Sequence, residues 1–178
     1  MNKLIYVISG GPGFGKSALI DALDRRSFYC GKDVAREFIK EQIISGGEIL
    51  PQNNRLEFQK IILQRRIKQY KDAPEGKICF FDRGIPDLIG YLTKENLEVP
   101  NEYYLASNKY RYEKIVFLTP PWQEIFEKDS ERSETFREAK IIHKAIEKAY
   151  KDLSYKIINV PKGSINKRVE FILLKIKK

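Results

Sequence analysis

The stretch from Leu4 to Ser17, Leu-Ile-Tyr-Val-Ile-Ser-Gly-Gly-Pro-Gly-Phe-Gly-Lys-Ser, leaves the chain few folds to choose from. A short β-branched apolar run ends at Ser9, glycines crowd the next six positions, and Lys16-Ser17 lead into Ala18, Leu19, Ile20 and Leu23. This reads as strand, tight loop and helix, and the loop fits G-x-x-x-x-G-K-[ST] without a gap. Glycines accept positive φ and let the backbone approach a ligand closely. Gly10, Gly11, Gly13 and Gly15, with Pro12 and Phe14 between them, can therefore turn successive N–H groups toward phosphate oxygens. The helix opening at Lys16, Ser17 and Ala18 adds unpaired N–H groups and the positive end of its dipole. Lys16 is placed to meet the β- and γ-phosphates, and the Ser17 hydroxyl to ligate Mg²⁺. The expected ligand is a nucleoside triphosphate, ATP with Mg²⁺.

With 178 residues the chain suits one nucleotide-binding domain, 1–178, with a real core. No apolar run is long enough to span a membrane, and the N-terminus enters a strand at once instead of a signal peptide. Cys30 and Cys79 cannot build a disulfide framework, and Cys79 sits in an apolar run as a small core residue. The expected location is the cytoplasm. A net charge of +9 invites a nucleic-acid reading. The basic residues alternate with acids, however, and no nucleic-acid-binding signature appears, so nucleic acid is not an expected partner.

Further along, Ser27-Phe-Tyr-Cys30 reads as a second strand and Val34 onward as a helix fading at Gly46-Gly47. A long helix then carries Leu56, Leu63, Ile67 and Tyr70 on one face. Lys77 to Asp82 is the clearest internal strand, apolar enough to be covered on both sides. A helix follows from Gly84, Pro86 and Asp87 through Leu92, and Tyr103, Tyr104 and Leu105 suggest another packed on the body. Ile115 to Leu118 is a strand, and Trp122 to Lys128 a helical turn or two. A long helix bears Ala139, Ile142, Ile146, Ala149 and Leu153, followed by a strand at Tyr155 to Val160. Ser164 caps the terminal helix. Strands alternating with helices predict an α/β three-layer sandwich around a five-stranded parallel sheet, which with the loop at Gly10 to Ser17 makes a P-loop NTPase fold.

Two carboxylates bear on what happens to the nucleotide. Asp82 ends an apolar strand at the carboxyl edge of the sheet, which suits a Mg²⁺ ligand; the plainer reading is a turn former or helix cap. Asp33 follows the second strand and carries two readings of equal weight. It can accept a proton from a substrate hydroxyl, or it can simply cap the helix starting at Val34. Arg36, one turn on, can pair with it or bind an anionic substrate, and Arg83 directly follows Asp82. A hydrolytic motor would carry Glu at position 83, and a guanine-specific switch would carry Asn-Lys-x-Asp. The pairs at Asn2, Asn108 and Asn166 lack that Asp. His143, the single histidine, reads more simply as a packed or surface imidazole than as a catalytic one. Trp122 and Tyr103-Tyr104 can stack on a base, though a core role is the plainer reading.

Asp33-Val-Ala-Arg36, Gly46-Gly47, Phe81-Asp-Arg-Gly-Ile-Pro-Asp87 with Tyr91, Phe117-Leu-Thr-Pro-Pro-Trp122, Arg132 with Phe136, and Val160-Pro161 occur together in this sequence. The set resembles a family of small P-loop proteins described as predicted ATPases or kinases of the AAA-domain type. That family is similar to the ribosylnicotinamide kinase domain of bacterial NAD-metabolism regulators and, more distantly, to deoxynucleoside and thymidylate kinases. The resemblance implies Asp33 as base, though one methylene shorter than the usual Glu, and Asp82-Arg83 as the acidic-Arg pair after the third strand. It places adenine near Lys162 to Ser164. It also implies a lid over 129–137 whose Arg132 and Arg137 offset charge on the transferring phosphoryl group. The alternative there is a solvated helix entrance, with Glu131 and Glu134 pairing those arginines. The function expected is transfer of the ATP γ-phosphoryl group to a small hydroxyl-bearing, nucleoside-like acceptor, with Arg36 and Arg83 on the substrate. The rival is a nucleotide-dependent binding module or slow ATPase or GTPase switch acting on a protein or lipid partner.

Overall fold

The computed structural model describes residues 3–126 and 134–176. Five strands, β1 (Leu4–Ser9), β2 (Tyr29–Gly31), β3 (Ile78–Asp82), β4 (Ile115–Leu118) and β5 (Lys156–Asn159), form one sheet in the order β2-β3-β1-β4-β5, and every pairing is parallel. The helices are α1 (Lys16–Asp24), α2 (Val34–Ser45), α3 (Arg55–Asp72), α4 (Ile85–Lys94), α5 (Asn101–Lys109), α6 (Phe136–Asp152) and α7 (Ile165–Ile176). The expected α/β three-layer sandwich with five parallel strands is what the chain forms.

Strand alternation explains the layers. Ile5, Val7, Cys79, Phe81, Val116 and Leu118 point to one face, where they join α2 to α6 through Val34, Phe38, Ile62, Leu88, Ile142 and Ile146. Ile8, Phe80 and Phe117 point to the other, where α1 and α7 contribute Leu19, Ile20, Leu23, Val169 and Ile172. With both faces covered, the central strands can be apolar throughout, which is why β3 was easy to read. The edge strands were harder. β2 is only three residues long and includes Gly31, and β5 lies inside the longer run read as Tyr155 to Val160.

Two local readings change. The buried face of α3 is Phe58, Gln59, Ile62, Leu63 and Arg66, not a stripe through Leu56, which is 58% exposed. Packing against α2 and α4 turns the helix so that two polar residues face inward and Leu56 faces out. In α5 Tyr103, Ala106 and Ser107 are buried, while Tyr104 and Leu105 are exposed. After Trp122 the chain makes a short 3₁₀ turn at Gln123–Ile125. Among the described residues no helix is long and apolar enough to cross a membrane.

The parallel order brings the carboxyl ends of β1, β2 and β3 together. Ile8 is in register with Asp82, and Gly31 with Phe81, so Ser9, Asp82 and the start of α2 border one crevice.

Candidate active site

The loop from Gly10 to Gly15 bridges β1 and α1. Gly10 has φ 133°, and a Cβ there would lie 2.7 Å from the Thr119 carbonyl oxygen. Gly15, the residue before α1, has φ 76°. Both positions exclude a side chain for steric and conformational reasons together. Lys16 is buried and its Nζ donates to the Gly11 carbonyl at 2.7 Å, inside the curve of the loop. Phe14 points the other way. Its fully buried ring packs on Phe126, Phe136 and His143, with centroids 5.8–6.3 Å apart. The loop is therefore anchored from beneath by aromatic packing.

His143 has a definite place in this anchor. Its Nδ1 accepts a hydrogen bond from the Gly11 N–H at 3.4 Å. Burial, with Lys16 and Arg83 adding to it against Glu147, pulls the imidazole down to about 4. The neutral ring is the form that can accept this bond. A depressed folded-state value means that the unfolded chain binds the proton first as pH falls. The stabilisation is thus intact above about 6.5 and lost progressively down to about 4, a total on the order of 3 kcal/mol. His143→Asn keeps an acceptor in reach without binding a proton. Its melting temperature is expected to fall less steeply than the wild type's between pH 6.5 and 4, and parallel curves would contradict the assignment.

At the other side of the loop, the Ser17 Oγ donates to Asp82 Oδ2 at 3.1 Å. Asp82 Oδ1 is buried and has no hydrogen-bond partner among the described residues. Burial and the neighbouring Asp33 charge push the Asp82 carboxyl up, against Lys16, Arg83 and the Ser17 hydroxyl. An orphaned carboxylate oxygen beside a P-loop serine fits a hard cation such as Mg²⁺. Among the described residues no group of three or more His, Cys, Asp or Glu side chains could hold a metal alone. A cation at Ser17 and Asp82 would therefore draw its other ligands from phosphate and water.

Asp33 caps α2 and pairs with two buried arginines. One carboxylate oxygen accepts from the Ala35 N–H at 3.1 Å, capping α2, and the same oxygen lies 3.3 Å from Arg66 Nη2. The other accepts from Arg83 Nε at 3.3 Å. Burial pushes this carboxyl up, but Arg83, Arg66, Lys16 and the Ala35 N–H outweigh it and leave it below the ordinary carboxylate range. It is ionised at neutral pH.

Arg83 has φ 72°, a left-handed conformation uncommon for a residue with a side chain. Its N–H still bonds the Ile8 carbonyl, extending the β3–β1 ladder, and the turn then sends the guanidinium inward. Nη1 donates to the Gly10 carbonyl at 2.9 Å and to Asp87 Oδ1 at 3.0 Å. Asp87 is fully buried and also accepts from Ser9, the Gly84 N–H and the Tyr150 hydroxyl. This hub ties β1, β3, α4 and α6 together directly behind the loop. Arg83 thus faces the crevice with most of its donors committed to the protein.

These groups line one cleft of about 550 Å³, within the size range of small-molecule sites. Pro12, Lys16, Ser17, Asp82 and Asp33 are among its lining residues. Arg36, Ile39, Phe58, Gln59, Leu88 and Tyr91 line it as well. Of the expected site residues the structure gathers Lys16, Ser17, Asp33, Arg36, Asp82 and Arg83 here. It does not bring Arg137 to the cleft. That side chain is exposed on the first turn of α6, next to the capping box that Thr135 and Glu138 form. Arg132 and most of the 129–137 segment lie outside the described residues. Sequence reasoning missed Arg66, Gln59 and the role of Asp87. The available signal was a charged or amide residue at the 3.6-residue spacing of an apolar helix face.

Comparison with known proteins agrees with this geometry. A family profile described as AAA domain matches residues 5–168. No curated protein matches the sequence. Among solved structures, the chain is similar to NadR protein in complex with NR, with TM-score 0.76 and 13% identity over 98% of this chain and 50% of that one. It is also similar to deoxyadenosine kinase from M. mycoides with bound dATP, with TM-score 0.65 and 16% identity over 99% and 100% of the two chains. Thymidylate kinase from Candida albicans follows, with TM-score 0.63 and 16% identity over 98% and 91%.

Proposed function

The chain belongs to the AAA domain family, and from that premise we propose that it transfers the γ-phosphoryl group of ATP to a hydroxyl of a small, nucleoside-like acceptor. One observation carries the reading: the ionised Asp33 carboxylate shares a cleft with Lys16 of the phosphate-binding loop. A binding module needs the loop but not a carboxylate facing where the terminal phosphate would lie. The solved structures named above share the fold and include enzymes of this reaction class, which supports the same reading.

In this proposal the loop N–H groups and Lys16 hold the phosphates, and Asp33 accepts the hydrogen of the acceptor hydroxyl and orients its oxygen toward phosphorus. The O–P bond to the acceptor forms as the bond to ADP breaks, and the proton passes to Asp33. Its low basicity is no obstacle where the transition state is loose and positioning dominates. Bound Mg²⁺ would supply charge neutralisation on the phosphates, with Ser17 and Asp82 as its protein ligands. Arg36 and Arg83 are proposed to face the acceptor. ADP formation by purified protein should be nearly silent with Mg-ATP alone and rise when the right nucleoside or related alcohol is added. ADP formation at one unvarying rate across a broad acceptor panel would favour the switch or ATPase reading.

A further inference from the structure

His143 is a buried titratable group that no step proposed above uses. Its place is set by α6, on which the phosphate-binding loop rests. A Cβ on Gly11 would lie 2.5 Å from the Ala139 carbonyl oxygen, and His143 stands one helical turn beyond Ala139. Four of the six residues from Gly10 to Gly15 are glycines, whose backbones rotate most freely, so the loop draws its shape from what it touches.

The peptide unit that joins Gly10 to Gly11 is held at both ends. Arg83 Nη1 donates to its carbonyl oxygen at 2.9 Å, and its N–H donates to His143 Nδ1 at 3.4 Å. A peptide unit is planar, so fixing both ends fixes its plane and the Gly11 Cα that follows. The Gly11 carbonyl, in turn, accepts from Lys16 Nζ at 2.7 Å. One line of contacts therefore runs from α6 through Gly11 to the lysine expected to meet phosphate. We propose that His143 is a positioning residue for phosphate binding: by holding the Gly11 N–H it sets the carbonyl that keeps Lys16 inside the loop. It acts through the lysine and need not touch the nucleotide. The bond requires Nδ1 to be the bare ring nitrogen, with the proton on Nε2. The proposal rests on the nucleotide reading above, but not on the identity of the acceptor or on turnover.

The chain has one histidine, so the imidazole ¹⁵N resonances of the labelled full chain report this ring alone. At neutral pH they should show the Nε2–H tautomer. An Nδ1–H ring cannot accept from Gly11 and overturns the proposal. Mg-ATP affinity is then read by calorimetry in a cycle of variants. His143→Phe keeps a ring against Phe14 but removes the acceptor, and should weaken Mg-ATP about fivefold, the effect of one neutral hydrogen bond. His143→Asn keeps an acceptor atom two bonds from Cβ, as Nδ1 is, and should bind Mg-ATP like the wild type. In a Lys16→Ala chain His143→Phe should cost less than about twofold, because the group it positions is gone. Unchanged affinity in a folded His143→Phe overturns the proposal. So does an equal loss with and without Lys16, which leaves His143 as a prop for the loop's shape. Should His143→Phe not fold, His143→Leu takes its place in the cycle, and the tautomer decides without any variant. A wild-type chain that does not bind Mg-ATP contradicts the nucleotide reading itself, and the role of His143 with it.

Discussion

Lys16→Ala is expected to weaken Mg-ATP binding by about 2 kcal/mol or more, roughly thirtyfold, because it removes a charged donor to phosphate from a buried site. The lysine now bonds the Gly11 carbonyl at 2.7 Å, so it is already held inside the loop and needs little reorganisation to meet a phosphate oxygen. The glycine cradle, the α1 N-terminus and the Phe14 anchor all survive the substitution. The variant should therefore fold, and its loss should appear in affinity instead of in melting temperature. Calorimetric titration reads this directly. Unchanged affinity would mean that the nucleotide, if bound, is bound elsewhere.

Asp33→Asn is expected to lower turnover by about 10²-fold or more while leaving ATP affinity near that of the wild type. The substitution keeps an oxygen to cap α2 but removes the charge that pairs with Arg66 and Arg83. Both guanidiniums are almost fully buried, and stripping a buried cation of its partner costs on the order of 3 kcal/mol. The variant should thus melt at a lower temperature and must be assayed well below it. A residue that only capped the helix would lose stability and keep its rate. Loss of rate at full ATP occupancy is the result that assigns Asp33 to the transfer step, and wild-type turnover in a folded Asp33→Asn would leave it a cap.

Local chemistry was legible in the sequence, and long-range pairing was not. The glycines and Lys16-Ser17 announce their own geometry, and α1 ends at Asp24 as its pattern predicts. Asp82 stood out because it closes an apolar strand at the carboxyl edge of the sheet, and the structure sets it beside Ser17. Arg66 was invisible by comparison. It meets Asp33 across 33 positions, and only the packing of α3 against the sheet decides that it faces inward while Leu56 does not. Asp87 is similar: an acid in an apolar helix hints at burial, but Ser9, Arg83 and Tyr150 become its partners only when four elements meet. His143 does more than its sequence reading gave it. Taken as a packed or surface imidazole, it is packed, and it also holds the Gly11 N–H beneath the loop.

The proposal that this chain is a kinase is tested most directly by following the γ-phosphate. ATP labelled in that position is incubated with the protein, Mg²⁺ and a panel of nucleosides and related alcohols, and the products are separated. Label recovered on an organic acceptor, dependent on Asp33 and on the added alcohol, is the result this structure predicts. Label recovered only as inorganic phosphate, at the same rate with and without acceptors, would contradict it.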